Sequence, residues 1–439
     1  MKTILFDFFD KIIFSLLFIQ VAVLNYLNLS NIGIKVICFL ILVRLVVEIL
    51  LVGKIKISIL KSMGWILIIF VIGYFSAKLG HEYHRDIFIS NFLSILYAII
   101  PLVYVSYIIN YRYYFVLQIL NSSIWIMNLY FIFNMIVSCI QIQVEGFMSG
   151  ISTWINPMHE DLICGLMGYS ATPQFGLFSI FIIILNLYYS DFCNSNYIRN
   201  YVYRIYSIIL IAFVIVISSF NDNKMVYIEL PLALLFYLYL TERLNFMKKK
   251  IERKNFNLVM IIFVGTIMGI FLYLTVPIIR DEIYMNFIYA VELLIEATTS
   301  NSILGYGSAD RLYMVIYAFD KYNALKLGYG MGAFPWHTDD VLGFRHFGQA
   351  DLGAFLCLGG LLFTVVVFMV WMNYYIKIIY SGKKSKSRLG YVLLYVVLLL
   401  LFFYTQLISI NTVSIIVIFC GIVLGVTNRE MSKKKINDL

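Results

Sequence analysis

The chain of 439 residues is 62% hydrophobic and only 13% charged, with a formal net charge of +9. Soluble domains carry about 25% charged residues, so this composition excludes an ordinary water-soluble fold. The apolar runs are continuous where barrel strands would alternate, which leaves a helical polytopic membrane protein.

Twelve transmembrane helices are predicted, near 12–29, 32–52, 63–78, 87–109, 116–140, 172–190, 203–219, 225–241, 257–278, 352–376, 389–407 and 411–427. The expected fold is all-α: one transmembrane domain over 1–439, with a first large loop at 141–171 and a second at 280–351. No cleavable signal peptide is read, because the first apolar run lacks a small-residue cleavage site and is followed by further spans. No internal repeat stands out, which weighs against a transporter.

Charge sets the expected orientation. With both termini in the cytoplasm, most of the 33 Lys and Arg fall inside and most of the 24 acids outside. This is the positive-inside pattern. It makes the basic balance an insertion signal with some attraction for anionic lipid, and it removes nucleic acid as a partner. All five histidines (His81, His84, His159, His337 and His346) then lie on the outer side. The cysteines imply no disulfide framework.

Along the chain, Arg44 and Glu48 stand i, i+4 in the second span and are read as an ion pair, since charges at membrane depth are costly unless paired. His81 and His84 have an i, i+3 spacing that suits a metal, but no third ligand accompanies them and no metal is predicted. His159-Glu160-Asp161 in the first loop offers acid–base groups, or simply a solvated turn. Lys224 and Glu229 flank the outer end of the eighth span, before Pro231, with Lys224 placed to face the outer cavity.

The second loop concentrates the chemistry. Residues 283–298 and 311–325 read as interfacial amphipathic helices. In the second of these, Leu312, Val315, Ile316, Phe319, Tyr322 and Leu325 form the apolar stripe. Asp310 is the expected N-cap and Gly328-Tyr-Gly330-Met-Gly332 the expected stop. Arg280, Arg311 and Arg345 supply fixed positive charge, and a guanidinium matches a phosphate bidentately. Interfacial snorkelling is the plainer reading of any one of them. Gly328, Gly330 and Gly332 either end a helix or let a bulky substrate approach the backbone. His346, His337 and Asp351 are the candidate proton acceptors, and a histidine suits that task near neutral pH.

The stretch from Arg311 through an amphipathic helix to Gly328-x-Gly330-x-Gly332-x-Phe334, followed by His346, Asp351 and the pair Gly359-Gly360, resembles the bacterial O-antigen polymerase and ligase superfamily. Span count and the two large loops resemble it too. The resemblance implies a metal-independent glycosyltransferase without cofactor in the inner membrane, its site facing the periplasm. That enzyme moves a growing glycan from undecaprenyl diphosphate to a new undecaprenyl-diphosphate-linked repeat unit. Arg280, Arg311, Arg345 and Lys224 would bind diphosphate, and His346, Asp351 or His337 would take the acceptor proton. Its partners would be the lipid-linked donor and acceptor, membrane lipid, a chain-length regulator and a flippase. A ligase that transfers glycan to a lipid A core, and a flippase or transporter of the lipid-linked unit, are the alternatives.

Overall fold

The computed structural model describes residues 2–53, 56–150, 159–169, 171–193, 197–221, 223, 225–243, 292, 308–336, 350–381, 388–408 and 411–437. These residues are overwhelmingly helical, with no strand among them. In chain order the helices are α1 (Lys2–Ile19, continued by a π turn over Gln20–Leu24), α2 (Ser30–Val52), α3 (Ile57–Leu79) and α4 (Arg85–Tyr111). Then come α5 (Tyr113–Gln143), α6 (Thr172–Tyr188), α7 (Tyr197–Phe220) and α8 (Val226–Leu240). The last four are α9 (Ser308–Lys321), α10 (Asp351–Ile379), α11 (Arg388–Tyr404) and α12 (Asn411–Asn437).

Seven of these, α3 to α7 with α10 and α12, are long and apolar enough to cross a membrane, and α8 and α11 are shorter apolar helices. By length and composition the chain is a multi-pass membrane protein. The expected span at 257–278 lies outside the described residues, as does all of the expected helix at 283–298 except Glu292, which is helical. Helix α1 starts well before the predicted 12–29, because its early acids are neutralised by partners on other helices. Burial separates centre from edge: 89% of the apolar window of α12 is buried, against 17% for α3. The outward side of α3 is apolar, with Leu60, Met63 and Leu67 exposed, as a lipid-facing helix requires.

Alternation of helix direction gives the bundle two ends, and each is tied together by different chemistry. At one end, Arg44 is buried between Asp10 (2.8 Å) and Glu48 (2.5 Å). Tyr104 donates to Asp10 (2.7 Å), Tyr107 donates to Glu48 (2.5 Å), and Arg112 pairs with both Asp7 and Asp10. Lys56 completes the set at 3.1 Å from Glu48. The expected Arg44–Glu48 pair is therefore present as part of a larger, charge-balanced cluster joining α1, α2 and α4. Balance matters here, because a buried charge stripped of its partner is far more costly than the intact network.

At the opposite end, amide side chains do the tying. Gln141 on α5 donates to Gly165 O (3.0 Å) and accepts from Gly165 N–H (2.7 Å). Asn134 accepts from Leu166 N–H (2.6 Å), and Asn25 donates to Met167 O (2.6 Å). Asn221 and Asn223 reach Ile163 O and Thr172 O. An amide both donates and accepts, so each can satisfy loop backbone that would otherwise be buried without partners.

Candidate functional site

The site is built around a break in α10. Gly360 has φ +73° and ψ 177°, so the helix is two helices meeting at a kink. A break frees backbone groups, and at membrane depth such groups must be satisfied by protein. Here the segment after α9 satisfies them. Tyr329 N–H donates to Cys357 O (2.6 Å), Gly330 N–H donates to Leu358 O (2.9 Å), and Leu361 N–H donates to Ala324 O (2.6 Å). Ser76 of α3 shares its hydroxyl proton between Leu327 O (2.8 Å) and Leu358 O (3.1 Å).

Contact this close explains the glycines. A Cβ built on Gly328 would lie 2.6 Å from Cys357 O and 2.7 Å from Gly360 N, and one on Gly360 would lie 2.8 Å from Leu327 C. Gly328, at φ +68°, and Gly330, at φ +125°, also hold backbone conformations that side chains disfavour. Gly332 lies against Tyr83, Ala77 and His84 O. At all three glycines the room a side chain would fill is taken by the protein's own atoms.

Helix α9 does not run into this turn as the sequence suggests. It stops at Lys321, and Asn323, at φ +51°, supplies the left-handed cap, with Ala324 N–H donating to Ala318 O (3.0 Å). Asp310 falls inside the helix, which starts at Ser308, and is not its N-cap. The predicted stripe is also rotated. Tyr313, Met314 and Ala318 are the buried face, while Phe319 and Leu325 are exposed. The reason is a tertiary contact: α9 packs on α10 at Gly353, where Met314 fills the space next to a missing side chain.

The far side of the turn is held by α3, α4 and their connection. His81 N–H donates to Tyr329 O (2.8 Å), and His84 N–H donates to Gly332 O (2.9 Å). The His81 ring stacks on Tyr329 at 4.8 Å. Asn91, buried on α4, donates to Met331 O (2.9 Å) and Phe334 O (3.1 Å) and accepts from Trp336 N–H (2.9 Å). Tyr317, Tyr322, Tyr329 and Phe334 form a continuous aromatic row with successive ring centroids 5.6, 5.7 and 5.8 Å apart. All four rings are partly exposed. Burial, together with the neighbouring Cys357 thiol and tyrosine rings, pushes the Tyr322 phenol up to about 12.

Arg311, on the first turns of α9, is partly buried, and its guanidinium lies 5.5 Å from the centroid of Tyr404 at the end of α11. This is cation–π distance. Asp351, at the start of α10, is fully buried. It accepts from Ile408 N–H (2.5 Å), and its own N–H donates to Thr405 O (3.2 Å). Arg311 and Asp351 thus converge on one short segment, Tyr404–Ile408. Arg280, Lys224, His337, Arg345 and His346 lie outside the described residues. Among the described residues no group of three His, Cys, Asp or Glu side chains is arranged to hold a metal.

Sequence reasoning missed Asn91, Ser76 and the aromatic row. The signal for Asn91 was present: an amide within a long apolar run needs a partner in hydrocarbon. No protein-family model, curated protein or solved structure matches this chain.

Proposed function

We propose that the chain is a surface-polysaccharide polymerase of twelve spans in a bacterial inner membrane. Both termini face the cytoplasm, and the Arg311 end of the bundle faces the periplasm. The observation that carries this reading is the aromatic row Tyr317–Tyr322–Tyr329–Phe334, which starts on the same helix as Arg311. Aromatic faces stack on sugar rings, and a guanidinium holds a phosphate, so one helix and its following turn offer both halves of a lipid-linked oligosaccharide site.

In this reading the acceptor sugar hydroxyl attacks the anomeric carbon of the donor glycan. The bond from that carbon to the carrier diphosphate breaks, and undecaprenyl diphosphate leaves with the bonding electron pair. Arg311, with Arg280, Arg345 and Lys224, stabilises the charge that develops on the leaving group. His346 or His337 takes the hydroxyl proton. Asp351, buried and engaged with Ile408, is a positioning residue that holds the start of α10 against the Tyr404–Ile408 segment. The close packing at Gly328, Gly330 and Gly332 makes them a rigid shelf beneath the aromatic row.

The test is elongation by the purified full-length chain, given undecaprenyl-diphosphate-linked repeat units in detergent. Polymer attached to the carrier supports the reading. Transfer only to a lipid A core acceptor would make the chain a ligase. Movement of the lipid-linked unit across vesicles without elongation would make it a transporter.

A further inference from the structure

A second feature lies away from this site, at the end of the bundle that holds Arg44. There the π turn after α6 (Tyr189–Cys193) meets the first turns of α7 and the residues just past the end of α8. Arg204 Nη2 lies 3.0 Å and Arg243 Nη2 2.7 Å from the same oxygen, Oδ1 of Asp191. Tyr237 donates to the other carboxylate oxygen (2.8 Å), and Arg204 Nε donates to Ser190 Oγ (3.0 Å). The Asp191 side chain is 4% exposed, against 54% for Arg204 and 43% for Arg243. The carboxylate is therefore the buried base of the cluster, and the two guanidiniums are its outer surface.

One carboxylate does not balance two guanidiniums. Arg199, five residues before Arg204 and exposed, adds a third positive charge, and Glu242 beside Arg243 adds one acid, so the corner stays positive. Among the described residues, Nη1 of Arg204 and of Arg243 makes no hydrogen bond. Two guanidiniums converging on one oxygen, with N–H groups left over and facing out, match the oxygens of a phosphate. The neighbouring surface selects the kind of phosphate. Tyr201 and Ile208 stand three before and four after Arg204, and so beside it on the helix surface. With Ile198, Val202, Ile205 and Ile209 they form an exposed apolar stripe on α7, a helix long and apolar enough to cross a membrane. Such a stripe faces lipid and offers nothing to a free phosphate. A choline-bearing headgroup would return a positive charge to the arginines, and an anionic one would not.

We propose that Arg204 and Arg243 hold the phosphate of an anionic phospholipid whose acyl chains lie along the apolar stripe of α7. The proposal stands independently of the diphosphate reading.

The experiment is native mass spectrometry of the full-length chain in detergent, titrated with phosphatidylglycerol or phosphatidylcholine. The first phosphatidylglycerol is expected to bind about tenfold more tightly than phosphatidylcholine. Arg204→Gln and Arg243→Gln are each expected to weaken phosphatidylglycerol binding about tenfold, the scale of one hydrogen bond to a charged group. Each single variant leaves one arginine on Asp191, so the buried carboxylate keeps a partner and the fold is preserved. Lys433→Gln combined with Lys434→Gln removes more charge from the same end of the bundle and is expected to weaken binding less than about twofold. Inorganic phosphate in excess is expected to leave the lipid bound. Equal affinity for the two lipids overturns the proposal, as does unchanged affinity in a folded Arg204→Gln or Arg243→Gln chain. An equal loss in the lysine variant, or displacement of the lipid by inorganic phosphate, overturns it too.

Discussion

Gly328 and Gly360 face each other so closely that neither position has room for a side chain. A Cβ on Gly328 would stand 2.7 Å from Gly360 N, and one on Gly360 would stand 2.9 Å from Gly328 N. One glycine belongs to the turn after α9 and the other to the break in α10, so the contact joins the loop to the membrane helix. Alanine at either position meets a clash and also a left-handed backbone, the latter alone worth about 1–2 kcal/mol. Each single variant is expected to lower thermal stability, and the double variant to lower it by less than the sum, because both disturb one contact. A double-mutant cycle on the purified protein measures this, and strict additivity would contradict the contact.

Asn91 makes three hydrogen bonds to the 331–336 segment from a buried position. Asn91→Leu leaves two carbonyls and one N–H buried without partners, at a cost of about 1–3 kcal/mol each. Hydrogen exchange is expected to rise at least tenfold at Trp336 N–H and not in the packed part of α12. Unchanged protection of Trp336 would count against Asn91 as the anchor.

Arg44 sits between Asp10 and Glu48 with almost no exposure. Removing one partner of such a cluster costs roughly 3–5 kcal/mol, whereas replacing the whole set with apolar groups is often neutral. Arg44→Met is therefore expected to lower the melting temperature sharply. Combining it with Asp10→Asn, which leaves Arg112 and Lys56 balanced by Asp7 and Glu48, should restore part of the loss. A double variant less stable than the single one would count against charge balance as the stabilising factor.

The Tyr322 phenol is raised to about 12 in the folded chain, above the ordinary value of about 10. A group raised in this way contributes stability that is complete below the unfolded value and is lost as pH climbs through the folded one. The thermal midpoint is expected to hold up to about pH 10 and to fall between pH 10 and 12. Tyr322→Phe should make that fall smaller. An identical fall in both chains would remove Tyr322 from the cause.

The parts of this fold that were legible in sequence rest on local periodicity. Helices α3 to α7 follow from the length of their apolar runs, and Arg44–Glu48 from an i, i+4 spacing. What the sequence hid is set by partners far away along the chain. Asp10 joins Arg44 from another helix, and Asn91 meets Trp336 across 245 positions. The face of α9 was misread for the same reason, since Gly353 on α10 takes Met314, which is not on the predicted stripe. Helix α9 ends at Lys321, and Asn323 caps it because a short polar side chain tolerates the left-handed conformation better than most. Of the candidate site, Arg311, the glycine turn and the pair Gly359-Gly360 were named from sequence, but that the turn meets a break in α10 at Gly360 depends on tertiary backbone geometry that no spacing encodes.

The proposed grip of Arg311 on a lipid-linked diphosphate is tested by elongation in matched Arg311 variants. Arg311→Ala is expected to lower the rate about 100-fold or more, the scale for losing one stabilising contact in a transition state. Arg311→Lys should recover little of it, because an ammonium lacks the bidentate fork. Both variants should accumulate single repeat units on the carrier while melting like the parent chain. Polymer of normal length and yield from a folded Arg311→Ala chain would show that Arg311 does not bind the diphosphate.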